Sequence, residues 1–123
     1  MKLIHSGEKL VSYLSGDNSL LDAEIEKFEV YQKDWVVNVD VHMEMRPSSE
    51  FNKILVRFSG CKEYCFYFND SHYFYNVERV KFFQTEENYF YVSFDPYDET
   101  EICNEDDQDI ILAKEVSAFL LDS

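Results

Sequence analysis

Asp40, His42 and Glu44 stand at i, i+2 and i+4 in a stretch that alternates polar and apolar residues. On an extended strand all three side chains project from one face. Two carboxylates and an imidazole so placed suit Zn²⁺ or Mn²⁺ with one coordination position left open. The same alternation equally describes the water-facing side of a half-buried strand, and such faces are routinely polar. That second reading is adopted, and no metal ligand is assigned. A larger group of carboxylates runs through Asp95-Pro96-Tyr97-Asp98-Glu99-Thr100-Glu101 and continues with Glu105, Asp106, Asp107 and Asp109. An EF-hand loop needs glycine at its sixth position and glutamate at its twelfth. Counted from Asp95, those positions hold Thr100 and Asp106, so the pattern fails. Clustered carboxylates ordinarily face solvent.

The residues for covalent chemistry are missing. His5, His42 and His72 are the only histidines, and no G-x-S-x-G segment occurs. Glycines at positions 7, 16 and 60 rule out both the P-loop and the G-x-G-x-x-G fingerprint. Glycoside hydrolysis requires two carboxylates, but with 25 acids in the chain a pair carries no information. The expectation is a protein that is not an enzyme and has no cofactor.

Charge narrows the partner. The chain carries a formal net charge of −14, unevenly spread. Residues 1–85 hold 13 Asp/Glu against 10 Lys/Arg, a net of −3, whereas residues 86–123 hold 12 Asp/Glu against Lys114 alone, a net of −11. Such a surface repels nucleic acid and anionic membranes and attracts a basic protein. No apolar run approaches the ~20 residues that span a bilayer, and the start of the chain lacks the apolar core of a signal peptide. Cys61, Cys65 and Cys103 form an odd set without metal spacing, which points to reduced thiols in a cytoplasm. They read as small buried apolar side chains.

The elements that position these groups are mostly strands. Trp35, Val37, Val39, Val41, Met43 and Met45 form one face of a long strand, with Val36, Asn38, Asp40, His42, Glu44 and Arg46 on the other. Before it, Ala23 to Tyr31 alternates with a slip between Ile25 and Phe28, which predicts a bulge. Further strands are expected over Lys53 to Ser59, Glu63 to Phe68, Val77 to Phe83 and Tyr89 to Phe94. Asp95-Pro96 ends the last of these. Residues 95–109 read as an exposed loop. Ile110 to Ala113 reads as strand, and Glu115 to Leu121 as strand or helix. Glu8 to Leu14 suits one or two helical turns with Ser6 as N-cap. The fold expected is a single domain over residues 1–123, mainly β, an antiparallel sandwich or partly open barrel with little helix. Twelve aromatic residues fall between Tyr64 and Tyr91. The Phe residues are assigned to the core. Tyr73, Tyr75 and Tyr97 are surface candidates, because tyrosine is enriched at interfaces.

The stretches Phe74-Tyr75-Asn76-Val77-Glu78-Arg79-Val80-Lys81-Phe82 and Tyr91-Val92-Ser93-Phe94-Asp95-Pro96-Tyr97-Asp98-Glu99 resemble a pattern in small bacterial proteins, some of which are similar to immunity proteins of toxin systems. The resemblance covers the second half of the chain. It implies a cytosolic antidote that blocks a toxin domain, and since immunity proteins share no single fold it carries over no residue roles. The partner-binding residues expected are Asp95, Tyr97, Asp98, Glu99, Glu101, Glu105, Asp106 and Asp107, with Tyr73 and Tyr75. The alternative is a β-barrel or sandwich that binds a small ligand or metal.

Overall fold

Alternation dictates the centre of the molecule. Val39, Val41 and Met43 are fully buried, and each pairs across to Phe58, Val56 and Ile54, which are buried on the same side. In the computed structural model, which describes residues 1–68, 70 and 75–121, the strands are β1 (Lys2–Ser6), β2 (Glu24–Lys33), β3 (Val36–Glu44), β4 (Lys53–Cys65), β5 (Lys81–Gln84), β6 (Phe90–Asp95) and β7 (Gln108–Leu120). A short helix α1 (Gly7–Tyr13) and one 3₁₀ turn (Gly16–Asn18) complete the elements. The chain is mainly β, with 53% strand and 9% helix, in one antiparallel sheet that does not close into a barrel. The order is β2-β3-β4-β7-β6-β5. Along its other side β7 shares its length between β6, at residues 108–113, and β1, at residues 117–120. The inner face is covered by α1 and the segment after it, through Leu10, Leu14, Leu20 and Ala23. Among the described residues, no helix is long and apolar enough to cross a membrane.

Several expectations change in detail. The predicted bulge is present between Ile25 and Lys27. The two strands expected either side of Gly60 are one 13-residue strand, β4. Gly60 lies within it at φ +65, where a side chain would meet Lys114, and the register shifts next to it between Cys61 and Glu63. A glycine in left-handed conformation beside a bulge bends a strand without ending it. The segment after Asp109 is strand to Leu120, not helix. Val77 precedes the fifth strand, which covers only Lys81–Gln84. Trp35 is not a core residue. It is 92% exposed, at φ +69, in the turn between β2 and β3, and Val37 near the same hairpin end is also exposed. Helix α1 begins after Ser6 as expected, but Ser6 makes no side-chain cap bond. The cysteines are free, yet Cys65 and Cys103 are exposed and so not core side chains, while Cys61 is half-buried against the core.

Candidate functional site

The acidic segment is a built structure. In the β5–β6 hairpin, Phe90, Val92 and Phe94 face the core. Lys81, Phe83, Tyr91 and Ser93 face the opposite side and are buried as well. Residues 96–107 fold back over that face. Lys81 Nζ donates to both oxygens of Asp107 at 3.0 Å and to the Ile102 carbonyl at 2.8 Å, and lies 2.7 Å from Asp98 Oδ1. The Lys81 side chain is 1% exposed and that of Asp107 0%. Asp107 also accepts from the Tyr91 hydroxyl at 2.7 Å, the Tyr97 N–H at 2.8 Å and the Asn104 N–H at 3.0 Å. Its carboxylate thus meets side-chain and backbone donors on every side, the condition for a buried charge.

Titration behaviour follows from those contacts. Burial alone would raise the Asp107 pKa, but the bonds from Tyr91, Tyr97, Lys81 and Asn104 outweigh it and hold the carboxyl below its ordinary value. Burial would lower Lys81, and Asp98 and Asp107 reverse this, so the ammonium titrates above its usual range. Burial and the Asp107 bond push Tyr91 far up. The bond from Lys81 lowers Asp98.

With the loop pinned beneath, its outer surface is defined. Asp95, Glu99, Glu101, Glu105 and Asp106 are exposed, and Asp98 is partly so. Tyr97 is 62% and Ile102 68% exposed, so two apolar side chains stand among the carboxylates. Arg79 also reaches the loop, 3.7 Å from Glu99 and donating to the Tyr97 carbonyl. Of the expected partner-binding residues, the structure gathers Asp95, Tyr97, Asp98, Glu99, Glu101, Glu105 and Asp106 on this loop. Asp107 is a correction: it holds the loop down and has no exposed side-chain surface. Tyr75 is also corrected, being half-buried, with its hydroxyl donating to Asp109 Oδ2 at 2.5 Å and its ring edge-on to Phe28. Tyr73 lies outside the described residues. Residues missed in the sequence are Lys81, Tyr91 and Ile102. Lys81 left a signal, since in Lys81-Phe82-Phe83-Gln84 it shares the phase of buried Phe83.

Two other places gather polar side chains. A cavity of about 260 Å³ is lined by Tyr67, Tyr75, Asn76, Arg79, Asp95 and Asp109 among others. On the outer face of β3, Asp40 is not water-facing. It is 3% exposed, clamped by Arg57 through Nε at 2.9 Å and Nη2 at 3.1 Å, and accepts from the Tyr31 hydroxyl at 3.2 Å. His42 Nε2 lies 3.7 Å from Glu29. Asp40 is therefore held by Arg57 and Tyr31, and among the described residues no group of three His, Cys, Asp or Glu side chains could hold a metal ion.

Compared with known proteins, the chain matches no family model, and no curated protein and no solved structure is significantly similar to it.

Proposed function

We propose that this chain is a protein-binding module that receives a basic partner on the Asp95–Asp106 loop, and that it acts as an immunity protein covering the cleft of a nuclease toxin. The observation that carries the reading is the loop itself. Two exposed apolar residues, Tyr97 and Ile102, are ringed by Asp95, Glu99, Glu101, Glu105 and Asp106 over a buried Lys81–Asp107 anchor. An exposed aromatic side chain within a polar rim suits the anchor of an interface. A loop fixed before binding loses less entropy on docking. Carboxylates in a row also imitate the phosphate backbone that a nuclease cleft receives. The small-ligand alternative rests on the cavity beside Tyr75. That cavity is only about 260 Å³, and in the wider hollow of about 520 Å³ on the outer face of β3 the Asp40, Arg57 and Tyr31 polar groups are already bonded to one another, so the loop is preferred.

The test uses the product of the neighbouring gene, because an antidote is encoded beside its toxin. Binding is measured for the wild type, for the triple variant Glu101→Lys, Glu105→Lys, Asp106→Lys, and for Tyr97→Ala. The triple variant is expected to slow association and to lose salt dependence. Tyr97→Ala is expected to speed dissociation, costing about 2 kcal/mol. Unchanged affinity in both variants would leave the loop as a solvated surface.

A further inference from the structure

Among the described residues, the other end of the sheet carries an open edge. Among the described residues, Glu29–Lys33 of β2 pair only with β3, while Glu24 and Ile25 are covered by Asn76 and Tyr75. An edge strand directs alternate N–H and C=O groups outward, ready to pair. Lysines and bulges usually blunt such edges. Here the bulge lies between Ile25 and Lys27, and from there to Lys33↔Val36 the ladder with β3 is regular. The hairpin end beyond it is apolar. Val30 and Val36 are each 41% exposed, and Trp35 projects into solvent from a turn in which Asp34 and Trp35 both have positive φ, at 54° and 69°. A bulky residue in left-handed conformation is a genuine outlier that invites a functional account.

We infer that a second copy of this chain pairs antiparallel along β2, about a two-fold axis at Tyr31. In that register Glu29 of each copy stands opposite Lys33 of the other on the same face of the sheet, giving two cross-strand ion pairs per dimer, and Val30 stands opposite Gln32. A shift of two residues, the smallest that keeps the faces aligned, sets Lys27 against Lys33 instead, which disfavours it. Charge selects this edge. From Lys27 to Lys33 the strand holds two lysines and one glutamate, a net of +1, in a chain of net −14. It is a place where two copies approach without the repulsion of their acidic surfaces. Glu29 is half-exposed and makes only loose contacts within its own chain, 3.9 Å from Lys27 and 3.7 Å from His42, so it is available for exchange. Because β2 and β5 lie at opposite ends of the sheet, this pairing leaves the acidic loop open, and its test is independent of the reading above.

The experiment measures self-association from micromolar to millimolar concentration by sedimentation. Emission from Trp35, the single tryptophan, is followed in parallel. The wild type is expected to dimerise reversibly. Glu29→Lys alone and Lys33→Glu alone each turn two attractive pairs into two repulsive ones, and should weaken the dimer on the order of tenfold or more. An equimolar mixture of the two single variants restores the complement as a heterodimer, and the double variant Glu29→Lys, Lys33→Glu restores it as a homodimer. A wild type that stays monomeric at millimolar concentration would overturn the inference. So would a dimer indifferent to the reversals, or reversals that mixing does not rescue.

Discussion

Lys81→Met removes the cation from the buried anchor. Asp107 then keeps its charge with no exposed surface and three remaining donors, Tyr91, Tyr97 N–H and Asn104 N–H. Breaking a buried pair by deleting one partner typically costs about 3–5 kcal/mol. Those three donors place this case near the lower end, at about 3 kcal/mol, which for a chain of this size lowers Tm by roughly 10 °C. The sign with pH follows. The Asp107 pKa is depressed in the folded wild type, so its contribution is fully present above the unfolded value of about 4 and lost as pH falls through the folded one. The Lys81 pKa is raised, so its contribution is present below about 10.5 and lost as pH rises through the folded value. In the variant Asp107 has lost one of the groups that hold its carboxyl down, so acid removes less stability from the variant than from the wild type. The deficit, read by urea unfolding, should therefore be steady between about pH 5 and 9 and narrow in acid. Lys81→Met with Asp107→Asn should recover only part of the loss: no charge stays buried, but the Tyr97 and Asn104 N–H groups bond different oxygens of Asp107, and an amide can accept from only one of them. A loss under about 1 kcal/mol, as for a surface pair, would refute the claim that this pair holds the loop.

Other outcomes are expected at defined positions. Trp35→Gly relieves a left-handed bulky residue and should stabilise the fold by about 1 kcal/mol in thermal unfolding. Gly60→Ala forces a Cβ to within 3.2 Å of Lys114 Cβ at φ +65 and should cost about 2 kcal/mol in the same assay. Asp40→Ala strips Arg57 and Tyr31 of their shared acceptor and should cost about 1–3 kcal/mol in urea.

Much of the sheet is legible from residue alternation alone. Val37 to Met45 identifies β3 and its phase, and the slip after Ile25 identifies a real bulge. Trp35 misled because it continues the apolar phase, while the turn at Asp34 takes the chain out of the strand. Asp40 misled for a related reason: its alternation is that of a wet face, but Arg57, 17 residues on, covers it. Asp107 looks like its neighbours Glu105 and Asp106 in sequence. It is singled out by Lys81, 26 residues away, and by Tyr91 beneath it. Local patterns report which face a side chain takes. They do not report which member of a charge cluster is turned inward, because that depends on pairing across distant strands.

The position of β7 sets the order in which the sheet can assemble. This strand comes last in the chain, yet it joins the meander β2–β3–β4 to the hairpin β5–β6 and holds β1, so that residue 2 lies beside residue 120. Hairpins form within microseconds, and these two blocks are free to do so early. β7 meets β6 across the short loop 96–107, but its pairing with β4, from Cys65↔Ile110 to Ile54↔Leu120, waits on the closure of a long loop whose entropy is lost first. Such non-local topology places folding in the millisecond-to-second range. Until β7 inserts, β4 and β6 each expose an apolar edge that the finished sheet hides at its centre, so the slow step of folding is also the interval of greatest exposure to misassembly.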